Sequence, residues 1–366
     1  MTLFVIGLIF ISLFYYFKIF QPTEVLKFLS VALSFLLFFL ALFNVTYNSD
    51  WWFYQSVYQQ YIFKNYIIFN FISDFFRNRG YDYTAVYQTH ITIITIAIIF
   101  FASRFKASHT FIISSVFLIF MLMQMSNQIR YYVSFTIYIT SVYILLVRNN
   151  RLMFLVLASL SVLSHFGIIP LYLFLAYYYI IKDKHLTKTS ILISLGASII
   201  VLLTLRYIPS LFGEFSTYFM SESLSSFLGG VYSNLPWLAW IVMIFYRNRN
   251  IIKRNVDIKF DKKYRFLYKL SIFPVLFILI AVYLEIISSR YIEPFIVIWI
   301  SYYLYSSQYI STTIQDNLRD FTKLILYLLI SFIYVYYLPL LIFNKSEVLT
   351  KVSEILKSNN SLSFLW

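Results

Sequence analysis

This chain of 366 residues is 61% hydrophobic and only 12% charged, with a mean hydropathy of +0.76. Such a composition excludes a soluble globular domain and indicates a membrane protein with many spans. The absence of cysteine excludes a disulfide framework and a thiolate metal site. The formal net charge is +14, and most of the basic residues lie between the apolar runs, where they act as topology signals. We therefore expect no nucleic-acid partner.

Twelve apolar runs follow one another, and a membrane-spanning helix needs about 20 such residues. The runs are 2–17, 25–44, 86–103, 109–123, 130–147, 152–164, 166–181, 190–207, 231–246, 266–284, 290–305 and 321–343. They predict an all-α, polytopic transmembrane bundle of about 12 spans in a single integral membrane domain over residues 1–366. Run 2–17 is not followed by a small-residue cleavage site, so we interpret it as a retained span rather than a signal peptide.

The lysine- and arginine-rich segment 247–269 sets the expected topology. By the positive-inside rule it is a basic cytoplasmic loop. Alternation from there places the connections 45–87, 124–130, 206–230 and 285–290 on the outer face, together with a turn at His165. Residues 152–181 could form one long helix instead, but this would break the alternation, so we favour two short spans that meet at His165.

The long outer connection 45–87 is predicted to contain two amphipathic helices on the membrane interface, at 51–63 and 66–76. Lys64 separates them, and the polar segment 77–80 ends the second. Asp50, Tyr54 and Tyr58 are spaced four residues apart, so on a helix they form one stripe. Asp50 is either the N-cap of this helix or a residue that acts on a substrate. The second outer connection, 206–230, is a candidate lid.

Residues 124–130 form a short polar island between two uncharged apolar runs. Ionisable groups at membrane depth are costly unless they are paired or hydrated, so they tend to mark a polar cavity. Five candidate residues all fall on the outer side, or just beneath it, in this topology: Asp50, Arg130, His165, Arg206 and Arg290. Arginine suits a phosphate because its planar fork donates two hydrogen bonds and keeps its charge.

Each of these residues also has a structural explanation. The arginines could snorkel to the headgroups or neutralise an outer acid such as Glu285 or Glu293, and His165 could be a satisfied core histidine. The sequence contains no glycine-rich phosphate loop, no pair of histidines with metal-ligand spacing and no Gly-x-Ser-x-Gly turn. We therefore expect neither a metal nor a cofactor.

Five short segments carry a resemblance to a known family. They are Asn48-Ser49-Asp50 followed by Tyr54 and Tyr58, then Arg79-Gly80-Tyr81, Gln128-Ile129-Arg130, Ser164-His165-Phe166-Gly167 and Ser289-Arg290-Tyr291. In this order and spacing, over roughly residues 44–295, the chain resembles the membrane polysaccharide polymerases of the EpsG/Wzy type. These proteins join lipid-linked repeat units into capsule, exopolysaccharide or O-antigen chains.

The resemblance implies a multi-pass glycosyltransferase of the bacterial inner membrane with its active site facing the periplasm. Its donor and acceptor would be undecaprenyl-diphosphate-linked glycans, with no nucleotide sugar. Membrane lipid, a chain-length regulator and a flippase are the further partners that it implies.

Residue roles follow from this hypothesis. Arg130, helped by Arg290 and Arg206, would bind the donor diphosphate and stabilise it as a leaving group. Asp50 or His165 would be the general base on the acceptor hydroxyl. The residues expected to shape the sugar site are Tyr54, Tyr58, Gln128 and Glu293.

Two other functions remain open. A flippase or transporter for a lipid-linked oligosaccharide should show related halves with spans broken at matching glycines and prolines. The chain has only seven glycines and no visible repeat, which argues against that function. An O-antigen ligase or acyltransferase shares the many-span form but uses another acceptor.

Overall fold

A computed structural model describes residues 7, 9–16, 23–60, 67–180, 196, 199, 227–254, 261–310, 313–338 and 347–360. Within these ranges the chain is almost entirely helical and has no strand, only an isolated bridge between Val45 and Asn359. Five of the described helical stretches are long and apolar enough to cross a membrane: Glu24–Phe43, Tyr83–Asn127, Ile129–Leu146, Leu228–Lys253 and Lys262–Ala281. A helical membrane protein therefore fits the structure, and the expected number of about 12 spans stays a prediction.

In chain order the helices are α1 (Thr23–Phe38, extended by a π-helical turn over Phe39–Phe43), α2 (Trp51–Gln60), α3 (Ile67–Arg77), α4 (Tyr83–Lys106), α5 (Thr110–Asn127), α6 (Ile129–Leu146), α7 (Arg151–Ser164), α8 (Leu173–Ile180), α9 (Phe227–Arg254), α10 (Lys262–Ile272), α11 (Val275–Ala281), α12 (Glu285–Tyr291), α13 (Ile296–Ser306), α14 (Ile314–Phe332) and α15 (Glu347–Lys357). The predicted run 190–207 and the predicted lid 206–230, up to residue 226, lie outside the described residues, apart from residues 196 and 199.

The two helices predicted in the connection 45–87 are present as α2 and α3. Helix α3 ends where expected because Gly80 adopts a positive φ of 76°. The amide of Gly80 then donates to Arg77 and the amide of Tyr81 donates to Phe76, which closes the last turn. That both helices lie on a membrane interface stays a prediction.

Prolines lie at helix breaks in three of the predicted spans, and in run 290–305 Pro294 lies in the 3-10 turn between α12 and α13. Run 266–284 is divided into α10 and α11 at Pro274, and run 166–181 begins with a 3-10 turn that contains Pro170. Proline removes a backbone donor and disfavours a helical residue before it, so it shortens the helices on either side.

The chain divides into two compact units, and the first contains Met1–Pro170 and Tyr336–Trp366. Helix α4 packs on α5 and α6, and α6 packs on α7. The chain reverses after α4, α5 and α6, so the residues around Tyr83, Arg130 and Ser164 gather at one end of this unit, here called the Arg130 end. At the opposite end, Phe105 packs edge-on against Tyr143.

The last described segment completes the first unit. Helix α15 packs on α5. The Asn359 side-chain amide then donates hydrogen bonds to the carbonyls of Leu40 (2.8 Å) and Ala41 (2.9 Å) at the end of α1. No later helical turn supplies backbone N–H donors to these carbonyls, so the Asn359 side chain provides the hydrogen bonds instead.

The second unit spans Leu171–Val335, and its helices reach into the predicted basic loop 247–269. Helix α9 continues to Arg254 and α10 begins after its N-cap, Asp261, so helices enter segment 247–269 from both ends, and its cytoplasmic location stays a prediction. Arg247 and Lys269 are buried rather than exposed in a loop. Their cost of burial is offset because each has acceptors: Arg247 pairs with Asp320, and Lys269 Nζ donates to the Tyr178 carbonyl at 2.9 Å.

The Arg247–Asp320 pair fastens α9 to α14. Two parallel hydrogen bonds of 2.7 and 2.8 Å join the guanidinium to the carboxylate. Arg247 Nε also donates to Ser306 Oγ at the end of α13, and Nη2 donates to Ser307 Oγ, while the centre of the Tyr303 ring lies 3.9 Å from the guanidinium carbon. Burial raises the pKa of the Asp320 carboxyl, but Arg247 outweighs this and holds that pKa below its usual value.

We expect Asp320→Asn to lower the free energy of unfolding by about 3–5 kcal/mol, because it leaves a buried guanidinium without its counter-charge. The measurement is equilibrium unfolding in detergent micelles. Arg319→Gln is the control in the same helix, since its pair with Asp316 at 3.8 Å is exposed and should contribute less than about 1 kcal/mol. Equal effects of the two changes would contradict the assignment.

The same pair predicts a pH dependence. Because the folded-state pKa of Asp320 is depressed, its contribution is complete above the unfolded pKa of about 3.9 and is lost as the pH falls through the folded value. Asp320→Asn should therefore flatten the acid limb of the stability curve, measured as melting temperature against pH. An unchanged acid limb would be evidence against this pair.

Candidate functional site

Arg130 lies inside the first unit rather than at its surface. Gln128 breaks the helix between α5 and α6, so Arg130 is the second residue of a new helix, and it is 7% exposed. Its Nε donates to the Tyr54 hydroxyl at 3.4 Å. The guanidinium carbon is 5.1 Å from the Tyr54 ring centre and 5.7 Å from that of Phe69. Two aromatic faces thus stabilise the charge, which is not the geometry of a snorkelling arginine.

Tyr54 and Tyr58 occupy the buried face of α2, as their spacing predicted. The Tyr54 ring stacks on Tyr83 with centroids 6.4 Å apart. The Tyr58 hydroxyl donates to the Tyr81 carbonyl, and the Arg77 guanidinium lies 5.1 Å from the Tyr58 ring. Tyr54 therefore contacts Arg130 directly, whereas Tyr58 fastens α2 to the start of α4.

Asp50 stands immediately before α2 and is half-buried. Its carbonyl accepts the first helical hydrogen bond from the Tyr54 amide, and its own amide donates to Asn48 Oδ1 at 3.0 Å. This is the N-cap position. The N-cap interpretation of Asp50 thus has a structural basis, and a role on a substrate stays a prediction.

His165 ends α7 at the Arg130 end of the same unit. Its ring lies edge-on to Tyr131, the residue after Arg130, with centroids 5.5 Å apart. The Gly167 amide donates to His165 Nδ1 at 3.0 Å, which fixes the ring on the following turn. Ser134 and Ser161 exchange hydrogen bonds with each other's backbone across α6 and α7. These small side chains let the two helices approach closely, so they bring His165 beside the start of α6.

His90 is a candidate that sequence reasoning missed. It lies in α4, is 1% exposed, and contacts Phe69 with ring centroids 5.4 Å apart. The charge of Arg130 acts on its ring. A signal was present, because His90 is an ionisable residue within the apolar run 86–103, and the argument that singled out Arg130 applies to it equally. Phe69 carried no such signal.

Several polar atoms near Arg130 are buried without a hydrogen bond to any described residue. They are Asn127 Oδ1, Gln128 Oε1, Tyr83 Oη and Tyr87 Oη. Buried polar groups are nearly always paired in folded proteins. The Arg130 end therefore offers both a cation and unused donors and acceptors, which are the groups needed to bind a polar, anionic molecule.

The remaining candidates belong to the second unit or lie outside the described residues. Arg290 is in the last turn of α12 and is half-buried. Nearby, Ser288 Oγ lies 3.3 Å from Glu293 Oε1 and 2.9 Å from Asn234 Oδ1. Arg206 is outside the described residues. That Arg290 and Arg206 share one site with Arg130 stays a prediction.

No group of three or more histidine, aspartate or glutamate side chains among the described residues could hold a metal ion. Comparison with known proteins adds one finding: a family model described as EpsG family matches residues 27–350. No curated protein sequence and no solved structure matches the chain.

The aromatic support of Arg130 can be tested within one helix. Phe69 of α3 is 1% exposed and lies against Arg130, whereas Phe71 of the same helix is 71% exposed. We expect Phe69→Ala to lower the free energy of unfolding by about 3–5 kcal/mol, because it removes a buried ring. Phe71→Ala should change it by less than about 0.5 kcal/mol. Comparable losses, measured by unfolding in micelles, would exclude this packing.

Proposed function

Because the chain belongs to the EpsG family, we propose that it joins undecaprenyl-diphosphate-linked oligosaccharide repeat units into a bacterial surface polysaccharide by glycosyl transfer. Membership makes it a multi-pass membrane protein of polysaccharide polymerisation. The lipid-diphosphate donor, the repeat-unit acceptor and the inner-membrane location with about 12 spans are our proposal.

The buried guanidinium of Arg130 is the observation that carries this proposal. A glycan leaving its lipid carrier gives up the bonding electron pair to a diphosphate, so negative charge develops on the phosphate oxygens. A cation already fixed in a water-poor site stabilises that charge without having to reorganise. Arg130 is held in this way by Tyr54 and Phe69.

Other residues would complete the site. Gln128 contributes a buried amide oxygen beside Arg130, and Tyr54 contributes a ring and a hydroxyl. The Tyr58 hydroxyl donates to a backbone carbonyl, so its contribution would come from its ring. That Arg290, Arg206 and Glu293 contribute to binding of the donor stays a prediction from the sequence. Asp50 would approach the acceptor from the start of α2.

The proposed orientation follows from charge within the first unit. Arg104, Lys106, Arg148 and Arg151 all lie at the end opposite to Arg130. Basic residues that flank membrane spans concentrate on the cytoplasmic side. The Arg130 end would accordingly face the periplasm, where lipid-linked units are polymerised in this proposal.

The orientation has a direct test because the chain contains no cysteine. Single changes Tyr81→Cys and Arg151→Cys place one thiol at an exposed position at each end of the first unit. In intact cells with a permeable outer membrane, an impermeant maleimide should label Tyr81→Cys. Arg151→Cys should be labelled only after the inner membrane is opened. The opposite pattern would reverse the proposed orientation.

The activity is tested with purified protein in lipid vesicles and synthetic lipid-linked repeat units, read as chain length on gels. We expect Arg130→Gln to slow chain growth by about 100-fold or more, the effect of removing one fixed donor to a developing oxyanion. Arg130→Lys should remain strongly impaired, because an ammonium has no planar fork. Arg151→Gln, at the opposite end, is the control and should retain wild-type rates.

The same assay separates the rival functions. Movement of labelled units across the vesicle membrane without new glycosidic bonds would indicate a flippase. Transfer only to a different acceptor would indicate a ligase. Undiminished chain growth by folded Arg130→Gln would remove Arg130 from the mechanism.

A further inference from the structure

We propose that His90 Nε2, rather than His165, accepts the proton of the acceptor hydroxyl, and that His165 is a neutral hydrogen-bond donor through Nε2. This assignment rests on the proposed glycosyl transfer for its substrate. Its structural premise is independent of that reaction, because the backbone fixes the proton position on each of the two rings.

One ring nitrogen of His165 already accepts a hydrogen bond from the backbone. Its Nδ1 accepts the Gly167 amide at 3.0 Å, so Nδ1 carries no proton. A neutral imidazole has one proton, which must then be on Nε2. For His165 to take a proton from a sugar hydroxyl, Nδ1 would have to become an N–H that faces the Gly167 N–H. This geometry makes His165 a poor base and a good donor.

His90 has the opposite arrangement. Its Nδ1 is 2.7 Å from the carbonyl of Val86. A carbonyl oxygen only accepts hydrogen bonds, so the proton of the neutral ring is on Nδ1. Nε2 consequently carries a lone pair, and no described residue donates a second hydrogen bond to this ring. Of the two histidines at the Arg130 end, His90 is thus the one that presents a basic nitrogen.

The surroundings of His90 suit this role. Phe69 contacts both its ring and the Arg130 guanidinium, so base and cation belong to one cluster. The Arg130 guanidinium of α6 is near enough for its charge to act on the His90 ring. Tyr83, two turns earlier on α4, has a buried hydroxyl without a described partner. A general base works by direct hydrogen bonding or through one water molecule, so a sheltered ring is compatible with the role.

The proposed step balances without any added reagent. The acceptor oxygen forms a bond to the anomeric carbon of the donor glycan, while the bond from that carbon to the phosphate oxygen breaks. The electron pair leaves on the lipid diphosphate, beside Arg130 and the N–H of His165. The hydroxyl proton passes to His90 Nε2 and then to solvent, which returns the ring to its starting form.

The tautomers can be measured directly by nitrogen-15 NMR of histidine-labelled protein in micelles. The chain has four histidines, and single substitutions assign their signals. We expect His90 to be protonated on Nδ1 and His165 on Nε2. The reverse pattern would overturn the proposal, whatever the protein polymerises.

Matched substitutions test the chemistry. In His90→Asn the side-chain amide can still donate to the Val86 carbonyl but has no atom in place of Nε2. We expect its turnover to fall about 100-fold or more, the usual contribution of a general base. In His165→Asn the amide oxygen still accepts the Gly167 amide. Its turnover should fall less than about 10-fold, with a raised KM for the donor, because one hydrogen bond to the diphosphate is lost.

Failure of the proposed function and failure of the His90 assignment give different results. If the folded wild-type protein does not extend chains, the proposed function and the catalytic role of His90 fail together, while the measured tautomers still stand. If chains grow but His90→Asn retains wild-type turnover and His165→Asn loses it, only the present assignment fails. His90→Gln serves if His90→Asn does not fold, since its amide reaches the Nε2 position without being basic and should be equally impaired.

Discussion

A guanidinium keeps its charge at any pH that a cell meets, so a buried arginine obliges the surrounding chain to provide aromatic faces or oxygen atoms. Arg130 imposes this requirement on the first unit. Its helix begins at a break at Gln128, so its side chain emerges beside α2 and α3 instead of along an uninterrupted span. Tyr54 and Phe69 come from these two short helices, and α4 supports them through Tyr83 and His90. The long connection 45–87 is therefore part of the arginine site rather than a simple link between spans.

Much of this arrangement follows from local sequence patterns. The bounds of α6 and α7 agree closely with the apolar runs, because both helices are apolar between polar caps such as Asn150. The end of α3 follows from the conformational freedom of Gly80. The spacing of Tyr54 and Tyr58 correctly placed both rings on one face of α2. These features depend on neighbours within a few residues, which is the range that a single sequence reveals.

Features that depend on distant partners were not accessible in this way. Phe69 is one of 40 phenylalanines, and only the packing of α3 against α4 distinguishes it from the exposed Phe71. The basic composition of segment 247–269 predicts a loop, yet Arg247 is buried in α9 and pairs with a carboxylate 73 residues away in the sequence. Which nitrogen of a histidine carries the proton depends on one backbone group, and periodicity contains no information about it.

The fold also constrains the order in which this protein can mature. The carbonyls at the end of α1 are covered by Asn359, a residue that leaves the ribosome more than 300 positions later. During synthesis, those oxygens must be solvated or covered by some other group while the intervening helices are inserted. The last described segment thus completes the packing of the first unit. A nascent chain that stops early would leave the carbonyls at the end of α1 without these hydrogen-bond donors.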